Sequence, residues 1–128
     1  MTNALAGNNP AVNVTWIKST ANEWLSLETF NIESVSTIGV YVIWHGGQTP
    51  RVVYVGQGDV KDRLTSHRSD RRITAYRRSG LLMVTWAEVS RASDRDGVER
   101  YLADQLKPLV GDRHPVASPV AVNFPWAA

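Results

Sequence analysis

Two tyrosines lie in neighbouring apolar runs of the chain, and each stands close to a glycine. Tyr41 ends the triplet Gly39-Val40-Tyr41, and Tyr54 begins the triplet Tyr54-Val55-Gly56. A tyrosine hydroxyl can act as a base near neutral pH only when nearby positive charge lowers its pKa, which is about 10 in solution. Tyrosine is also a common half-buried residue of β-strands, so either one alone would indicate no more than packing.

Arg63 and His67 follow the second tyrosine and are four residues apart, which places them one turn apart on the same face of a helix. A guanidinium can hold a phosphate through two hydrogen bonds, and a neutral imidazole can accept a proton because its unperturbed pKa is about 6.5. Phosphodiester hydrolysis needs both abilities. A surface salt bridge from Arg63 to Asp59 or Asp62 is an equally good interpretation of that arginine.

Short β-rich runs and a helix are expected to position these residues. The runs 38–44 and 51–56 are rich in Val, Ile and aromatics, and the turn-forming stretch 45–50 separates them, which predicts a β-hairpin. His45 in the hairpin loop is expected to be exposed. Asp59 is suited to cap a helix over residues 59–68. Glycine inside a strand indicates a bulge or a close approach, either by a phosphate backbone or by a packed helix.

In this order, the elements resemble the GIY-YIG nuclease family. Gly39-Val40-Tyr41 is similar to the first family element and Tyr54-Val55-Gly56 to the second. Arg63 resembles the arginine on the helix that follows, and His67 resembles the histidine that some members place one turn later. The resemblance covers roughly residues 37–113, with Gly39 and Gly56 as its motif glycines.

The family also has a metal-binding glutamate on a later helix, and Glu99 stands at the matching place. The resemblance implies that Glu99 alone anchors Mg²⁺ or Mn²⁺, since Mg²⁺ commonly takes one or two carboxylates and keeps several waters. Without the resemblance, a helix glutamate is usually a solvated residue. Many members carry an asparagine shortly after the proline that ends this helix. That place falls on Gly111 here, with Asp112 adjacent and Asn123 further on.

The resemblance implies a metal-dependent endonuclease that hydrolyses DNA phosphodiester bonds, with RNA as an open alternative. Tyr41 would activate the water, assisted by Tyr54 and His67, and either Tyr41 or His67 could be the general base. The alternative is a catalytically impaired nucleic-acid-binding module on the same fold, which the glycine at position 111 favours. A third and weaker hypothesis is a protein-interaction domain, suggested by five tryptophans in a small chain.

The basic residues are concentrated in one stretch. Seven of the 14 Lys and Arg residues fall between Lys61 and Arg78. Such a run is often only a solvated helix face, but its closeness to Arg63 and His67 favours a surface that binds a polyanion. The residues predicted to bind nucleic acid are Lys61, Arg68, Arg71, Arg72 and Arg78.

Length and composition bound the remaining possibilities. The length of 128 residues predicts one domain, and the small, polar residues 1–11 predict a disordered start. The resemblance implies that residues 12–128 form a single GIY-YIG-like nuclease domain. No run of 18 apolar residues and no secretory signal is present, so no membrane association is expected. Cysteine is absent, which fits a reducing cytoplasm. Selection of a particular DNA target would come from a homodimer or from a separate partner, or would be absent.

The other elements are expected as follows. Val12, Val14 and Trp16 alternate like a short edge strand, and the capping-box pattern at residues 20–23 predicts a helix over 21–30. Ser69 should begin a second helix that ends at Gly80, residues 81–89 form the central strand, and Ser93 or Asp94 caps the helix that Pro108 stops. Residues 115–126 are expected to be extended over the core. The predicted fold class is α+β: a small three-stranded, mostly antiparallel sheet flanked by helices, and the GIY-YIG resemblance implies the same sandwich.

Overall fold

A four-stranded antiparallel sheet forms the framework of the computed structural model, which describes residues 10–111 and 116–126. The strands are β1 (Leu25–Ser26), β2 (Ile38–His45), β3 (Arg51–Asp59) and β4 (Leu82–Glu88), in the spatial order β1-β4-β2-β3. The helices are α1 (Val60–His67), α2 (Arg71–Thr74) and α3 (Ala92–Leu106), with 3₁₀ turns at Ile32–Ser34 and Ala75–Arg78. The α+β class is confirmed, but the sheet has one strand more than predicted.

The additional strand replaces the helix predicted over residues 21–30, which was wrong. Ser19 and Glu23 close a tight turn, in which the amide of Ser19 donates to the carbonyl of Glu23 at 2.9 Å. Asn22 in this turn has a φ of +60°, which a right-handed helix cannot contain. The chain then pairs with β4 over two residues, Leu25 with Val84 and Ser26 with Met83. Sheet pairing therefore outweighs the local capping-box pattern.

The hairpin of β2 and β3 is confirmed and lies beside β4, so that β2 has a partner on both sides. Successive residues of β2 alternate between the two faces of the sheet. One face, here called the tyrosine face, carries Tyr41, Ile43 and Tyr54 and packs against α1 and α2. The opposite face carries Val40, Val42 and Trp44 and packs against α3 and the C-terminal segment. The core is therefore divided by the sheet into two apolar clusters.

His45 was expected in the loop but ends β2, so that prediction was wrong. It pairs with Leu82 on β4 and Arg51 on β3, and only 5% of its surface is exposed. Its ring stacks on that of Tyr76, with centroids 6.3 Å apart and planes 5° apart. The sheet extends one residue beyond the run of apolar side chains, and this extension buries the imidazole.

The caps of the helices were only partly predicted. Asp59 caps α1 as expected, because its carboxylate accepts from the amide of Asp62 at 3.2 Å. Ser69 was predicted to cap the next helix, but its amide still donates to Ser66, and Asp70 provides the cap of α2 instead. Helix α3 starts before the predicted caps Ser93 and Asp94, with the N-cap at Arg91 and no side-chain cap. It ends at Leu106, before Pro108, as predicted.

The two terminal segments lie side by side. Val12 forms an isolated parallel bridge with Val122, so the predicted edge strand is reduced to one bridge. The side chain of Asn123 accepts from the amide of Val14 at 2.7 Å and donates to its carbonyl at 2.9 Å. Val122 and Phe124 pack on the opposite face, as expected of a segment lying over the core, whereas Val116 is fully exposed. Pro115 and residues 1–9 of the predicted disordered start lie outside the described residues. No helix in the described part of the chain has the length and apolarity to cross a bilayer.

Candidate active site

Tyr41, Tyr54 and His67 form one aromatic cluster on the tyrosine face. The hydroxyl of Tyr41 and Nε2 of His67 share a hydrogen bond of 2.7 Å. The imidazole also lies against Tyr54, with ring centroids 4.4 Å apart, and the two tyrosine rings stack with centroids 6.1 Å apart. The exposed fractions are 1% for Tyr41, 8% for Tyr54 and 7% for His67. Three of the five predicted catalytic residues are therefore in mutual contact.

The register of the hairpin brings the two tyrosines together. Tyr41 pairs with Gly56 and Ile43 pairs with Tyr54, so both tyrosines project from the same face. A shift in register between Ile43 and Trp44 adds one residue to β3 just before Tyr54. Because of this additional residue, the side chain of Tyr54 projects from the same face of the sheet as that of Tyr41. His67, at the end of α1, then lies against both tyrosine rings.

Close packing explains both motif glycines. A Cβ atom on Gly56 would lie 2.2 Å from the hydroxyl oxygen of Tyr41, so the tyrosine ring occupies the space above this glycine. A Cβ atom on Gly39 would lie 1.9 Å from the carbonyl oxygen of Ala87 on β4. The predicted close approach is therefore present, and it is made by a tyrosine ring and by a neighbouring strand.

Arg63 lies on α1 one turn before His67 and is exposed. Its Nε donates to the carbonyl of Gln57 at 3.3 Å, and the side chain passes over Gly58, which has a φ of +123°. Asp59 and Asp62 are both described, and neither forms a salt bridge with it, so that alternative is not realised in the described chain. The guanidinium therefore remains accessible to a phosphate while its inner nitrogen is held in place.

Glu99 lies on α3, and the contacts of this helix show which way it faces. Successive helix residues are rotated by about 100°, so Arg95, Asp96 and Glu99 share one flank and Gly97 lies on the other. Arg95 and Asp96 both bond the side chain of Gln57 on β3. A Cβ atom on Gly97 would instead meet the C-terminal segment. Glu99 therefore lies on the flank that faces the outer edge of β3.

The chain that follows α3 continues along the same strand. The amides of Leu109 and Val110 donate to the carbonyls of Val52 and Val53 at 3.0 and 2.8 Å. The path thus runs beside β3 from Gln57 towards its start, and Glu99 lies in the chain between these two anchor points. Glu99 as a whole residue is 7% exposed. All five predicted catalytic residues therefore lie on or beside the hairpin and α1.

Gln57 is a residue of this site that sequence reasoning missed. Its carboxamide donates to Oδ1 of Asp96 at 2.5 Å and accepts from Nε of Arg95 at 3.2 Å, while its carbonyl holds Arg63. It therefore connects the helix of Glu99 to the arginine through one strand position. The available signal was its type: Gln57 is a polar residue between two glycines at the end of an apolar strand.

Gly111 occupies the place where the resemblance expects an asparagine, and it is exposed. Among the residues that the structure describes, none has an atom within 4 Å of a Cβ position on Gly111. Asn123, one of the two suggested substitutes, uses its carboxamide to hold Val14 and is committed there. Asp112, the other, lies outside the described residues.

The basic stretch is largely engaged within the fold. Lys61 pairs with Glu33 at 2.8 Å, Arg72 with Asp70 at 2.8 Å, and Arg68 donates to the carbonyls of Leu27 and Phe30 at 2.7 Å each. The Lys61 pair raises the pKa of that lysine and lowers the pKa of Glu33, chiefly through their hydrogen bond. Arg71 and Arg78 are exposed on the outer side of α2 and its 3₁₀ continuation. Of the predicted DNA contacts, these two are the most available.

The candidate site therefore consists of a hydrogen-bonded tyrosine–histidine pair, an exposed guanidinium and one buried glutamate. No group of three His, Cys, Asp or Glu among the described residues could enclose a metal ion. A single buried carboxylate instead fits a cation such as Mg²⁺, which keeps most of its water and binds substrate phosphate.

No family model, no curated protein and no solved structure matches this chain.

Proposed function

We propose that this protein is a metal-dependent endonuclease of the GIY-YIG type that hydrolyses phosphodiester bonds in DNA. The observation that carries the proposal is the 2.7 Å hydrogen bond between Tyr41 and His67 within a cluster that also contains Tyr54. The order of hairpin, arginine-bearing helix and glutamate-bearing helix supports the family assignment and the family fold. The exposed guanidinium of Arg63 and the buried carboxylate of Glu99 supply the other groups that the reaction needs.

The tyrosine and histidine together move the proton of the attacking water. His67 accepts the phenolic proton of Tyr41 through their hydrogen bond, and the Tyr41 oxygen then takes a proton from water. The water oxygen bonds to phosphorus as the phosphorus–oxygen bond to the leaving group breaks, and the electron pair stays on the departing oxygen. Arg63 holds a non-bridging oxygen and offsets the charge that develops there. Mg²⁺ or Mn²⁺ held by Glu99 would add positive charge for the phosphate and the leaving group.

A nucleic-acid-binding module with an impaired site is the second candidate. Two observations favour it: the empty surroundings of Gly111, and the burial of Tyr41, whose hydroxyl must reach a substrate to act. In this case, Arg63, Arg71 and Arg78 would still contact phosphates. The two candidates differ only in whether a bond is cut.

Cleavage of plasmid DNA across a Mg²⁺ titration tests the proposal. Glu99→Gln keeps the shape of the side chain but removes its charge, so it should abolish cleavage and leave DNA binding intact or slightly tighter. Tyr41→Phe removes only the hydroxyl and should lower the rate by roughly 10² to 10⁴-fold, as expected for loss of a general base. Matched controls are Glu88→Gln, at an exposed strand end, and Tyr76→Phe, whose ring stacks on His45.

Two results decide between the candidates. Cleavage by Glu99→Gln at the wild-type rate would eliminate the single-metal mechanism. If wild-type protein binds DNA but leaves it uncut with Mg²⁺ or Mn²⁺, the binding module takes its place.

A further inference from the structure

A groove lined by three tryptophans lies at the end of the sheet near the hairpin loop. Its walls are Trp24, Trp44 and Trp126, and its rim is formed by Pro50, Arg51 and Val52. We call it the tryptophan groove. Its volume is about 390 Å³, within the range of small-ligand sites. It belongs to the opposite face of the sheet, so it is separate from the tyrosine cluster.

The indole rings hold one another in fixed positions. Trp24 and Trp126 each meet Trp44 edge to face, with centroids 5.3 and 5.2 Å apart and planes at 89°. Trp44 is 7% exposed and forms the base, whereas Trp24 and Trp126 are half-buried. Rigid aromatic rings that are partly open to solvent can accept a flat ligand without rearranging.

The charges at the groove are positive. Arg51 is the charged residue in the lining, and it is exposed. Nζ of Lys18 lies 4.3 Å from the centroid of the Trp24 ring. No acidic residue is among the described residues that line the groove. A ligand that complements this groove is therefore flat or aromatic in one part and anionic in another.

We propose that the tryptophan groove binds one base of a single-stranded nucleic acid, with the adjoining phosphate on Arg51. Every nucleobase offers a face for stacking on indole, and its phosphate supplies the negative charge. A base within a duplex has its faces covered by its neighbours, so the groove selects unpaired nucleotides. The choice of nucleic acid as the ligand rests on the proposed function, whereas the shape and charge of the groove do not.

The groove and the candidate active site are both built on β3, on opposite faces of the sheet. Arg51 begins β3 and Tyr54 is three residues further on, roughly 10 Å along the strand. A single strand that occupied both sites would therefore have to pass around the sheet. The preferred substrate would carry a single-stranded tail or flap long enough to do so.

Intrinsic tryptophan fluorescence, with wild-type protein in EDTA to prevent cleavage, tests the proposal. The probes are an eight-nucleotide oligothymidylate and an abasic oligomer of the same length and charge. Oligothymidylate should quench the fluorescence, and the abasic oligomer should bind at least tenfold more weakly. Trp126→Leu should weaken oligothymidylate binding about tenfold, and Trp126→Phe, which keeps a ring, should restore most of it. Arg51→Gln should weaken the binding of both probes, whereas Arg91→Gln, at the N-cap of α3, should weaken the binding of neither.

The outcomes separate this inference from the proposed nuclease activity. Equal binding of both probes, or unchanged affinity in a folded Trp126→Leu variant, would overturn the groove as a base site while leaving cleavage untouched. Base-dependent quenching by a protein that never cuts DNA would support the groove as a base site and would contradict the proposed nuclease activity. Quenching by a proline-rich peptide, with none by oligothymidylate, would also overturn the inference and assign the groove to a protein partner.

Discussion

The phenol of Tyr41 and the imidazole of His67 are 26 residues apart in the chain and 2.7 Å apart in the fold. Both groups are almost completely buried, and a hydrogen bond in such surroundings is stronger than the same bond in water. Each ring therefore holds the other in a defined orientation. This is the geometric requirement for moving a proton between them.

Gly56 offers a direct test of how much the pair depends on local space. Gly56→Ala would place a methyl group 2.2 Å from the Tyr41 oxygen, and the buried ring cannot move aside without breaking its bond to His67. We expect a loss of about 1–3 kcal/mol in the free energy of unfolding, the usual cost of overpacking, and a large fall in cleavage. Denaturant unfolding measures the first effect and a plasmid assay the second.

The matched control is Gly46→Ala, because a Cβ atom there has its nearest neighbour at 4.0 Å. Gly46→Ala should leave both the free energy of unfolding and the rate of cleavage nearly unchanged. Full activity in Gly56→Ala would mean that the orientation of Tyr41 does not matter for the reaction.

Gly111 tests the family alignment at a single residue. No described residue lies within 4 Å of its Cβ position, so Gly111→Asn meets no clash with the described part of the chain. If the family asparagine orders the loop beside the glutamate-bearing helix, this change should raise cleavage severalfold. If another group already has that role, the rate should stay the same. Gly111→Ala is the control, and a large fall in the rate of a folded Gly111→Asn variant would show that the alignment is wrong here.

At the scale of elements, the short helix α2 depends on a charged cap. The Arg72 side chain donates to the Asp70 carboxylate and lowers its pKa, with the amide of Arg72 adding to the effect. Because the folded pKa lies below the unfolded one, this stabilisation is complete above the unfolded pKa. It is lost as pH falls through the folded pKa, which puts the loss below about pH 4.

Asp70→Asn keeps a cap acceptor but removes the charge. We expect the wild type to be more stable than this variant by about 0.5 kcal/mol at pH 7, as for a partly exposed ion pair, and the difference to shrink as pH falls below about 4. Thermal unfolding across this range measures the difference, with Glu88→Gln as the control. If the difference in stability between wild type and Asp70→Asn stayed constant with pH, the charge of Asp70 would not be its cause.

The sequence predicts the elements that depend on local pattern, and misses those that depend on distant partners. The hairpin, α1 with its Asp59 cap and the end of α3 before Pro108 all follow from nearby residues. Strand β1 does not, because Leu25 and Ser26 become a strand only when β4 is beside them. The same holds in the site. The spacing of Arg63 and His67 is a local property, whereas the contact of His67 with Tyr41 and the link from Gln57 to α3 require the assembled sheet.

At the scale of the whole molecule, the positive charge available to a polyanion is smaller than the sequence indicates. Ion pairs and backbone contacts occupy Lys61, Arg68 and Arg72, and Arg77 pairs with Glu28 at 2.6 Å. Arg71 and Arg78 remain exposed on one side of the molecule. Binding to DNA should therefore be salt-sensitive but weak, with a few phosphate contacts.

Replacing Arg71, Arg72 and Arg78 together with Ala tests this surface. Each phosphate contact contributes about 0.9 to the slope of log affinity against log salt. Because Arg72 is already paired, we expect the triple variant to lower the slope by about two, and Arg71→Ala with Arg78→Ala to account for most of that. Fluorescence anisotropy at several salt concentrations measures it, with Arg91→Ala and Lys107→Gln as the control. An unchanged salt slope in the triple variant would show that DNA binds to another face of the protein.

The parallel contact between the terminal segments has a mechanical consequence. The amides of Ala11 and Val12 bond the carbonyl of Ala121, and the side chain of Asn123 bonds Val14 on both sides. When two parallel segments are pulled by opposite ends, they slide past each other, so these bonds bear the load together instead of opening one after another. Resistance to such pulling depends on the rate of rupture and not on equilibrium stability. The side chain of Asn123 therefore joins the two segments through bonds that are loaded in shear. A protein that pulled on either end of the chain would load these bonds before it loaded the sheet.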